Sequence, residues 1–157
     1  MPKRVKRITI YRTDHPWLAE RQAALERLRR RDLVGVARDK SVSVSPGVFA
    51  ERLDAEEREV VYKLLGYAWD RRYPLIAKRA GMVGGRAAVA GRRLPVWQIV
   101  GLERQGYAPA QLMAEFGLSP DELHQALGYA RRHREEIEQD ILDQERSASL
   151  LAEVAAR

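Results

Sequence analysis

The chain has 157 residues, of which 45% are hydrophobic, and its 28 lysines and arginines against 22 aspartates and glutamates give a net charge of +6. This composition excludes a collagen-like or globally disordered chain and fits one or two small domains. The sequence contains no cysteine, which excludes a disulfide framework, a thiolate metal site and a cysteine nucleophile.

Membrane insertion and secretion are also not expected. No apolar run approaches the roughly 20 residues of a membrane span. The N-terminus is basic over residues 3–7, but no apolar core follows it, as a secretory signal requires. We therefore expect a soluble, cytoplasmic protein that contacts no membrane.

The positive charge is concentrated in blocks. Residues 1–40 carry twelve basic and five acidic side chains, and residues 71–104 carry eight and one, so each block has a charge of +7. Residues 41–70 carry three basic and six acidic side chains, and residues 135–157 carry two and seven. Two basic blocks favour an acidic partner such as nucleic acid, although arginine-rich faces also simply keep a helical protein in solution.

The first part of the chain has the pattern of alternating strands and helices. The β-branched stretch Val5–Tyr11 predicts a short strand, and the apolar spacing of Trp17–Arg31 predicts a helix. Serine and valine alternate over Ser41–Ser45, which suits an edge strand. Asp54 with a glutamate three residues later is a capping-box pattern, which predicts a helix from there to about Arg71.

Glycine and proline mark a change of character over residues 72–95. Within this stretch, Arg86–Ala90 predicts a short strand that returns through Arg92–Leu94 as a hairpin. We place a boundary near Ala80. The predicted parts are an α+β region of unknown role over residues 1–80, a helical domain with the hairpin over 81–134, and a helical arm over 135–157.

Three helices are predicted after the hairpin. Pro95 suits the first position of a helix because it has no N–H to leave unpaired. Pro109 opens a second, short helix that ends at Gly117, whose positive φ suits a tight turn. Ser119 then caps a third helix that starts at Pro120. This spacing is typical of a helix-turn-helix with the hairpin as a wing, although an ordinary corner between two helices uses the same spacing.

In a helix-turn-helix, the outward side chains of the third helix face the major groove of DNA. Asp121 and Glu122 at its start would repel phosphates. Gln125 can read adenine, and His124 can reach guanine or a phosphate. We expect the hairpin arginines to contact phosphate or the minor groove, with solvated turn charge as the alternative. The candidate DNA-binding residues are Arg86, Arg92, Arg93, Ser119, His124, Gln125, Arg131 and Arg132.

A series of short motifs covers residues 84–141. It runs through Gly84-Gly85-Arg86, Gly91-Arg92-Arg93-Leu94-Pro95-Val96, Gly106-Tyr107, Phe116-Gly117-Leu118-Ser119, Ala126-Leu127-Gly128-Tyr129-Ala130 and His133-Arg134-Glu135-Glu136-Ile137. In this order the motifs resemble the domain-of-unknown-function family 433, whose members look like VapB-like antitoxins of type II toxin–antitoxin pairs. The resemblance implies a plain or winged helix-turn-helix, a PIN-like ribonuclease toxin as partner and no catalytic residues. The sequence departs from the family pattern at Arg92, where threonine is usual.

A mainly apolar stripe continues from Leu123 to Ala155 with the 4-3 spacing of a heptad repeat, interrupted at Arg134 and Gln144. One interpretation is a long helix that dimerises. A second is a break near His133, followed by an arm that folds on a partner. A third is a terminal helix packed on its own domain. The acidic charge of this arm suits a protein partner.

The predicted fold is mainly α, with a C-terminal (winged) helix-turn-helix domain of three helices. We predict a homodimeric, antitoxin-like protein that binds a PIN-like toxin and operator DNA without a metal or cofactor. The alternatives are a stand-alone DNA-binding regulator and an interaction protein whose helix-turn-helix is only a packing motif. We expect no enzyme activity, because the sequence has no nucleophile–base pair, glycine-rich phosphate loop or metal-ligand cluster.

Overall fold

A computed structural model describes residues 8–157, which form a mixed α/β protein with seven α-helices and two three-stranded sheets. The chain divides between Ala68 and Trp69 into two compact units, whereas the sequence places a boundary near Ala80. The elements of the first unit are β1 (Ile8–Arg12), α1 (Pro16–Ala19), α2 (Gln22–Arg30), β2 (Val34–Val36), β3 (Ser41–Val44), a 3-10 turn (Val48–Ala50) and α3 (Ala55–Leu65). The predicted first strand is present from Ile8 onward, and residues 5–7 lie outside the described part of the chain.

The strands of the first unit form an antiparallel sheet in the order β1–β3–β2. Val42 and Val44 on β3 are buried, and Ser41 and Ser43 are half-buried on the other face. Alternation therefore predicted the strand correctly, but its placement at an edge is wrong. β3 is the central strand because both of its edges form ladders, one with β1 and one with β2.

The helix predicted over Trp17–Arg31 is present as two helices. Arg21 leaves the helical conformation, with φ of −122° and ψ of 26°, and separates α1 from α2. The chain therefore turns at a point where the apolar spacing alone indicates a continuous helix.

The capping box predicted at Asp54 is confirmed. Asp54 Oδ1 accepts a hydrogen bond from the N–H of Glu57 at 2.7 Å, and Glu57 Oε1 accepts one from the N–H of Asp54 at 3.0 Å. The predicted end near Arg71 is wrong: α3 ends at Leu65, because Gly66 is left-handed with φ of 76°.

The next strand, β4 (Tyr67–Trp69), spans the division between the units. The later elements are β5 (Ile76–Arg79), a 3-10 turn (Val83–Gly85), β6 (Ala88–Val89), α4 (Val96–Arg104), α5 (Pro109–Phe116), α6 (Pro120–Arg132) and α7 (Arg134–Ala155). The strands are ordered β4–β5–β6 in a second small sheet.

The predicted hairpin is present in short form beside this sheet, with the N–H of Val89 donating to the carbonyl of Leu94 at 3.0 Å and that of Val96 to the carbonyl of Ala87 at 2.9 Å. The main partner of β6 is β5, with which it pairs antiparallel, Ile76 opposite Val89. The returning chain makes an isolated bridge between Ala88 and Pro95. Val89 and Leu94 are buried, so this segment contributes to the core of the second unit.

The three helices predicted after the hairpin are confirmed, with ends close to those expected. Gln105 caps α4, Gly117 ends α5 with φ of 64°, and Ser119 caps α6. Together with the sheet they enclose one core. Its buried side chains are Ile76, Ala87, Val89, Leu94, Val96, Ile99, Val100, Leu112, Leu118, Leu123, Ala126, Tyr129 and Ile137.

The last helix, α7, is packed in its first half and uncovered in its second. It starts after His133, whose φ of −106° and ψ of 45° separate it from α6. Ile137 is buried in the core and Ile141 packs against it, whereas every residue from Gln144 to Arg157 is exposed. Across residues 8–157, no helix has the length and apolarity needed to cross a membrane.

Candidate nucleic-acid interface

The turn between α5 and α6 is closed by its own side chains. Ser119 Oγ accepts a hydrogen bond from the N–H of Glu122 at 3.1 Å, and Glu122 Oε1 accepts one from the N–H of Ser119 at 3.0 Å. Two backbone donors at the start of α6 are thereby satisfied. The Ser119 side chain is thus part of the helix cap.

Arg92, which lies in the segment before α4, forms hydrogen bonds with the same turn. Its Nε and one terminal nitrogen donate to the two carboxylate oxygens of Glu122 at 2.9 and 3.1 Å. The guanidinium also donates to the carbonyl oxygens of Phe116 and Gly117 at 3.2 and 3.0 Å. Burial raises the pKa of Glu122, but the Ser119 N–H and the guanidinium outweigh it and hold the pKa below its usual value. Arg92 therefore stabilises the turn, and little of its hydrogen-bonding capacity is left for a phosphate.

Arg86 forms ion pairs with acidic residues of α7. It donates to Asp140 Oδ1 at 2.7 Å and lies 3.4 Å from Asp143 Oδ2. Burial raises the pKa of Asp140 despite the opposing effect of Arg86, and Asp140 Oδ2 is buried without a hydrogen-bond partner. Removal of Arg86 would leave this buried carboxylate without its cation. Of the three hairpin arginines, Arg93 is exposed and has the fewest competing contacts.

The outward face of α6 is partly covered by the chain that leads into β5. Gln125 Oε1 accepts a hydrogen bond from the N–H of Leu75 at 2.7 Å. Tyr73 lies so close to Gly128 that a Cβ there would come within 2.9 Å of the tyrosine ring. Gln125 would have to give up its bond to Leu75 before it could read adenine.

A groove of about 440 Å³ opens beside this contact. His124, Arg131 and Arg132 on its wall are exposed, and its lining includes no carboxylate. Three guanidinium groups and one imidazole make the groove suitable for phosphate. The lining residues are Arg72, Tyr73, His124, Gln125, Gly128, Arg131 and Arg132.

Asp70 positions Arg72 at this groove. Asp70 Oδ1 accepts hydrogen bonds from the backbone N–H and the Nε of Arg72 at 3.0 and 3.1 Å. Asp70 Oδ2 lies 3.1 Å from Nε2 of His133, whose ring stacks on Tyr129 with the ring centres 4.1 Å apart. The hydrogen bonds from Arg72, followed by that from His133, lower the pKa of Asp70 to about 2.

We expect the substitution Asp70→Asn to lower the melting temperature at pH 7 and to have a progressively smaller effect as the pH falls. A carboxyl group with a lowered folded-state pKa stabilises the fold above its unfolded value near 4 and loses that contribution as the pH approaches 2. Thermal denaturation between about pH 7 and pH 2 measures this convergence. Asp121→Asn, at an exposed position on α6, is the matched control. A difference between Asp70→Asn and the unsubstituted chain that stays constant with pH would contradict the assignment.

Most of the acidic side chains on the C-terminal arm form ion pairs within the second unit. The ion pairs that hold α7 are Lys78–Glu136, Arg104–Glu138 and Arg86–Asp140. Beyond these pairs, the uncovered end carries Glu145 and Glu153 against Arg146 and Arg157. The side chains of residues 144–157 therefore carry no net charge, although the arm as a whole is acidic.

The sequence predicts one wall of the groove but not the other. His124, Gly128 and Arg131 follow the three- and four-residue steps of one helical face, a signal that the sequence carries. Arg72 and Tyr73 lie about fifty positions earlier, on the segment that crosses α6. Only the folded chain brings them to the groove.

Residues 76–130 match the family model of DUF433, described as a protein of unknown function. A crystal structure of a DUF433 member protein from Anabaena variabilis ATCC 29413 is 27% identical, with 60% of this chain and 90% of that chain covered and a TM-score of 0.44. No curated protein matches the chain. From β5 to the last turn of α6, the chain is thus similar to the DUF433 family.

Proposed function

We propose that the chain is a non-enzymatic, antitoxin-like regulator that binds nucleic acid by its phosphate backbone at the groove beside α6. The observation that supports this most strongly is the adjacent pair Arg131 and Arg132, both exposed and flanked in the groove by Arg72 and His124. Cationic side chains on an open groove attract nucleic acid, because phosphate neutralisation releases condensed counterions.

In this proposal, α5, the turn at Gly117 and α6 act as a helix-turn-helix that fixes the position of the backbone more than it reads bases. The Gln125 amide oxygen is bonded to Leu75, and Asp121 at the start of α6 is exposed and acidic. His124 is then the main residue that contacts base edges. We expect affinity to come from phosphates and to vary little with sequence.

The hairpin contributes fewer phosphate contacts than its three arginines suggest. Arg86 is paired with Asp140 and Arg92 with Glu122, so both stabilise the second unit. Exposed Arg93 remains the hairpin residue that we assign to a phosphate contact.

The protein partner in this proposal is a PIN-like ribonuclease toxin encoded next to this chain's gene. Its support is the resemblance of residues 84–141 to VapB-like antitoxins, together with the DUF433 match over residues 76–130. Antitoxins combine operator binding with toxin neutralisation, so a nucleic-acid groove is consistent with this class.

Two other functions have an observation in their favour. A stand-alone DNA-binding regulator is favoured because every residue that lines the groove belongs to the second unit. An interaction protein without DNA binding is favoured by the internal ion pairs of Arg86 and Arg92.

Two measurements on the full chain separate these functions. We expect the product of the adjacent reading frame to co-purify with it. We also expect the chain to bind its own promoter duplex and a scrambled duplex, with an affinity that falls steeply between about 50 and 200 mM salt. Salt-sensitive binding without co-purification would support the stand-alone regulator. Absence of binding to either duplex at the lower salt would overturn the nucleic-acid function.

A further inference from the structure

The C-terminal end of α7 exposes large apolar side chains that have no role in the second unit. Leu150, Leu151 and Val154 are 62%, 70% and 69% exposed, within a stretch from Gln144 to Arg157 that is exposed throughout. Helices in proteins gain most of their stability by packing an apolar face. This end of α7 has such a face and nothing in its own unit to cover it.

The apolar side chains lie together on one side of the helix. Ser147, Leu150, Leu151 and Val154 follow the i, i+3, i+4, i+7 spacing of a single face, which we call the α7 stripe. At 100° per residue, Glu145 points to the opposite side of the helix. Arg146 and Glu153 lie together along one flank of the stripe.

The charged side chains around the stripe indicate which molecule packs on it. Residues 144–157 carry two acidic and two basic side chains, which does not favour nucleic acid and allows two copies to approach without net repulsion. In an antiparallel pair of helices the same flanks adjoin, so Arg146 of each copy lies beside Glu153 of the other. In a parallel pair this flank faces the opposite one, which carries no charged side chain over residues 144–155.

We propose that the α7 stripe is the interface of a homodimer in which two copies of α7 pack antiparallel. Leu150 of one copy packs on Leu151 of the other, and Val154 packs on Ser147, so the face is complementary to itself under a two-fold axis. With four side chains from each copy, we expect this interface to be smaller than the roughly 800 Å² per partner of a standard-sized complex. The dimer is therefore weak and depends on protein concentration.

Sedimentation of the full chain over a range of concentrations tests the interface. We expect a reversible monomer–dimer equilibrium, and we expect Leu151→Asp to raise its dissociation constant by at least about tenfold, because two carboxylates are then buried against apolar side chains. Ala152→Asp is the matched control. It adds the same charge to the next residue, which is exposed and lies on the opposite side of the helix. The control should dimerise as the unsubstituted chain does.

Introduced thiols determine the orientation, because the chain has no cysteine of its own. In a mixture of Ser147→Cys and Val154→Cys chains, the antiparallel arrangement predicts mostly disulfides between the two variants. A parallel arrangement would instead cross-link each variant to itself.

Three results would overturn the homodimer. One is a chain that sediments as a monomer at every concentration, and another is an equal effect of Leu151→Asp and Ala152→Asp. The third is a monomeric chain whose capture of the adjacent gene's product is lost with Leu151→Asp, since the stripe would then belong to that partner. Nucleic-acid binding by the groove is measured separately, so each failure can be told apart from failure of the proposed function.

Discussion

Replacing Arg131 and Arg132 together by glutamine should lower the affinity for duplex DNA by roughly 60-fold at about 0.1 M salt. This follows if each arginine neutralises one phosphate, because each such contact contributes about 0.9 to the slope of log affinity against log salt. Both residues are exposed in the last turn of α6. Glutamine has nearly the helix propensity of arginine, so α6 should remain folded. Fluorescence anisotropy with a labelled duplex measures the loss, and circular dichroism checks the helix.

Arg29 and Arg30 provide a matched control for this pair. They are also adjacent, exposed and in the last turn of a helix, α2, and they belong to the N-terminal basic block. Their joint substitution by glutamine removes the same charge and should change the affinity much less. The opposite ranking of the two double variants would move the binding site from the groove to the first unit.

We expect Arg92→Ala to destabilise the second unit by about 2 kcal/mol, since hydrogen bonds to a charged group contribute roughly 1.5–3 kcal/mol each in buried settings and less where solvent reaches them. The substitution removes the bidentate pair with Glu122 and two bonds to the carbonyls that end α5. Glu122 is then left half-buried without its cation. Urea denaturation of the full chain measures the change in the free energy of unfolding.

Arg93→Ala is the control for this prediction because Arg93 is the next residue and is exposed. It should change the free energy of unfolding by no more than about 0.5 kcal/mol. For DNA binding we expect the larger effect from the other variant. Arg93→Ala should reduce the salt dependence of binding, whereas Arg92→Ala should leave it nearly unchanged at temperatures where the variant is folded. If Arg92→Ala were as stable as the unsubstituted chain and bound DNA with a smaller salt dependence, Arg92 would be a phosphate contact and not a clamp.

Features encoded by a few neighbouring residues were predictable from the sequence. The capping boxes at Asp54 and Ser119 and the end of α5 at Gly117 are present as expected, because a cap needs only a polar side chain and a backbone N–H two or three residues away. The wall of the groove formed by α6, with His124 and Arg131, was predictable because residues three and four positions apart share a helical face.

Features that depend on contacts distant in sequence were not predictable. The end of α3 is an exception, because Gly66 ends it in a left-handed conformation. This signal is local, and the apolar residues that continue past Leu65 obscured it. Alternation in β3 identifies a strand without revealing that strands pair on both of its sides. The same limit applies to the arginines. The number of charges does not reveal that Arg92 pairs with Glu122 or that Arg72 lines the groove, because the residues they meet there are distant in the sequence.

The salt dependence of DNA binding tests most directly the claim that the groove beside α6 holds a phosphate backbone. The slope of log affinity against log salt should be smaller by about 1.8 for the Arg131→Gln, Arg132→Gln chain than for the unsubstituted chain, and equal for promoter and scrambled duplexes. The Arg29→Gln, Arg30→Gln chain should keep the full slope. A slope that does not change when Arg131 and Arg132 are replaced would contradict phosphate binding at this groove.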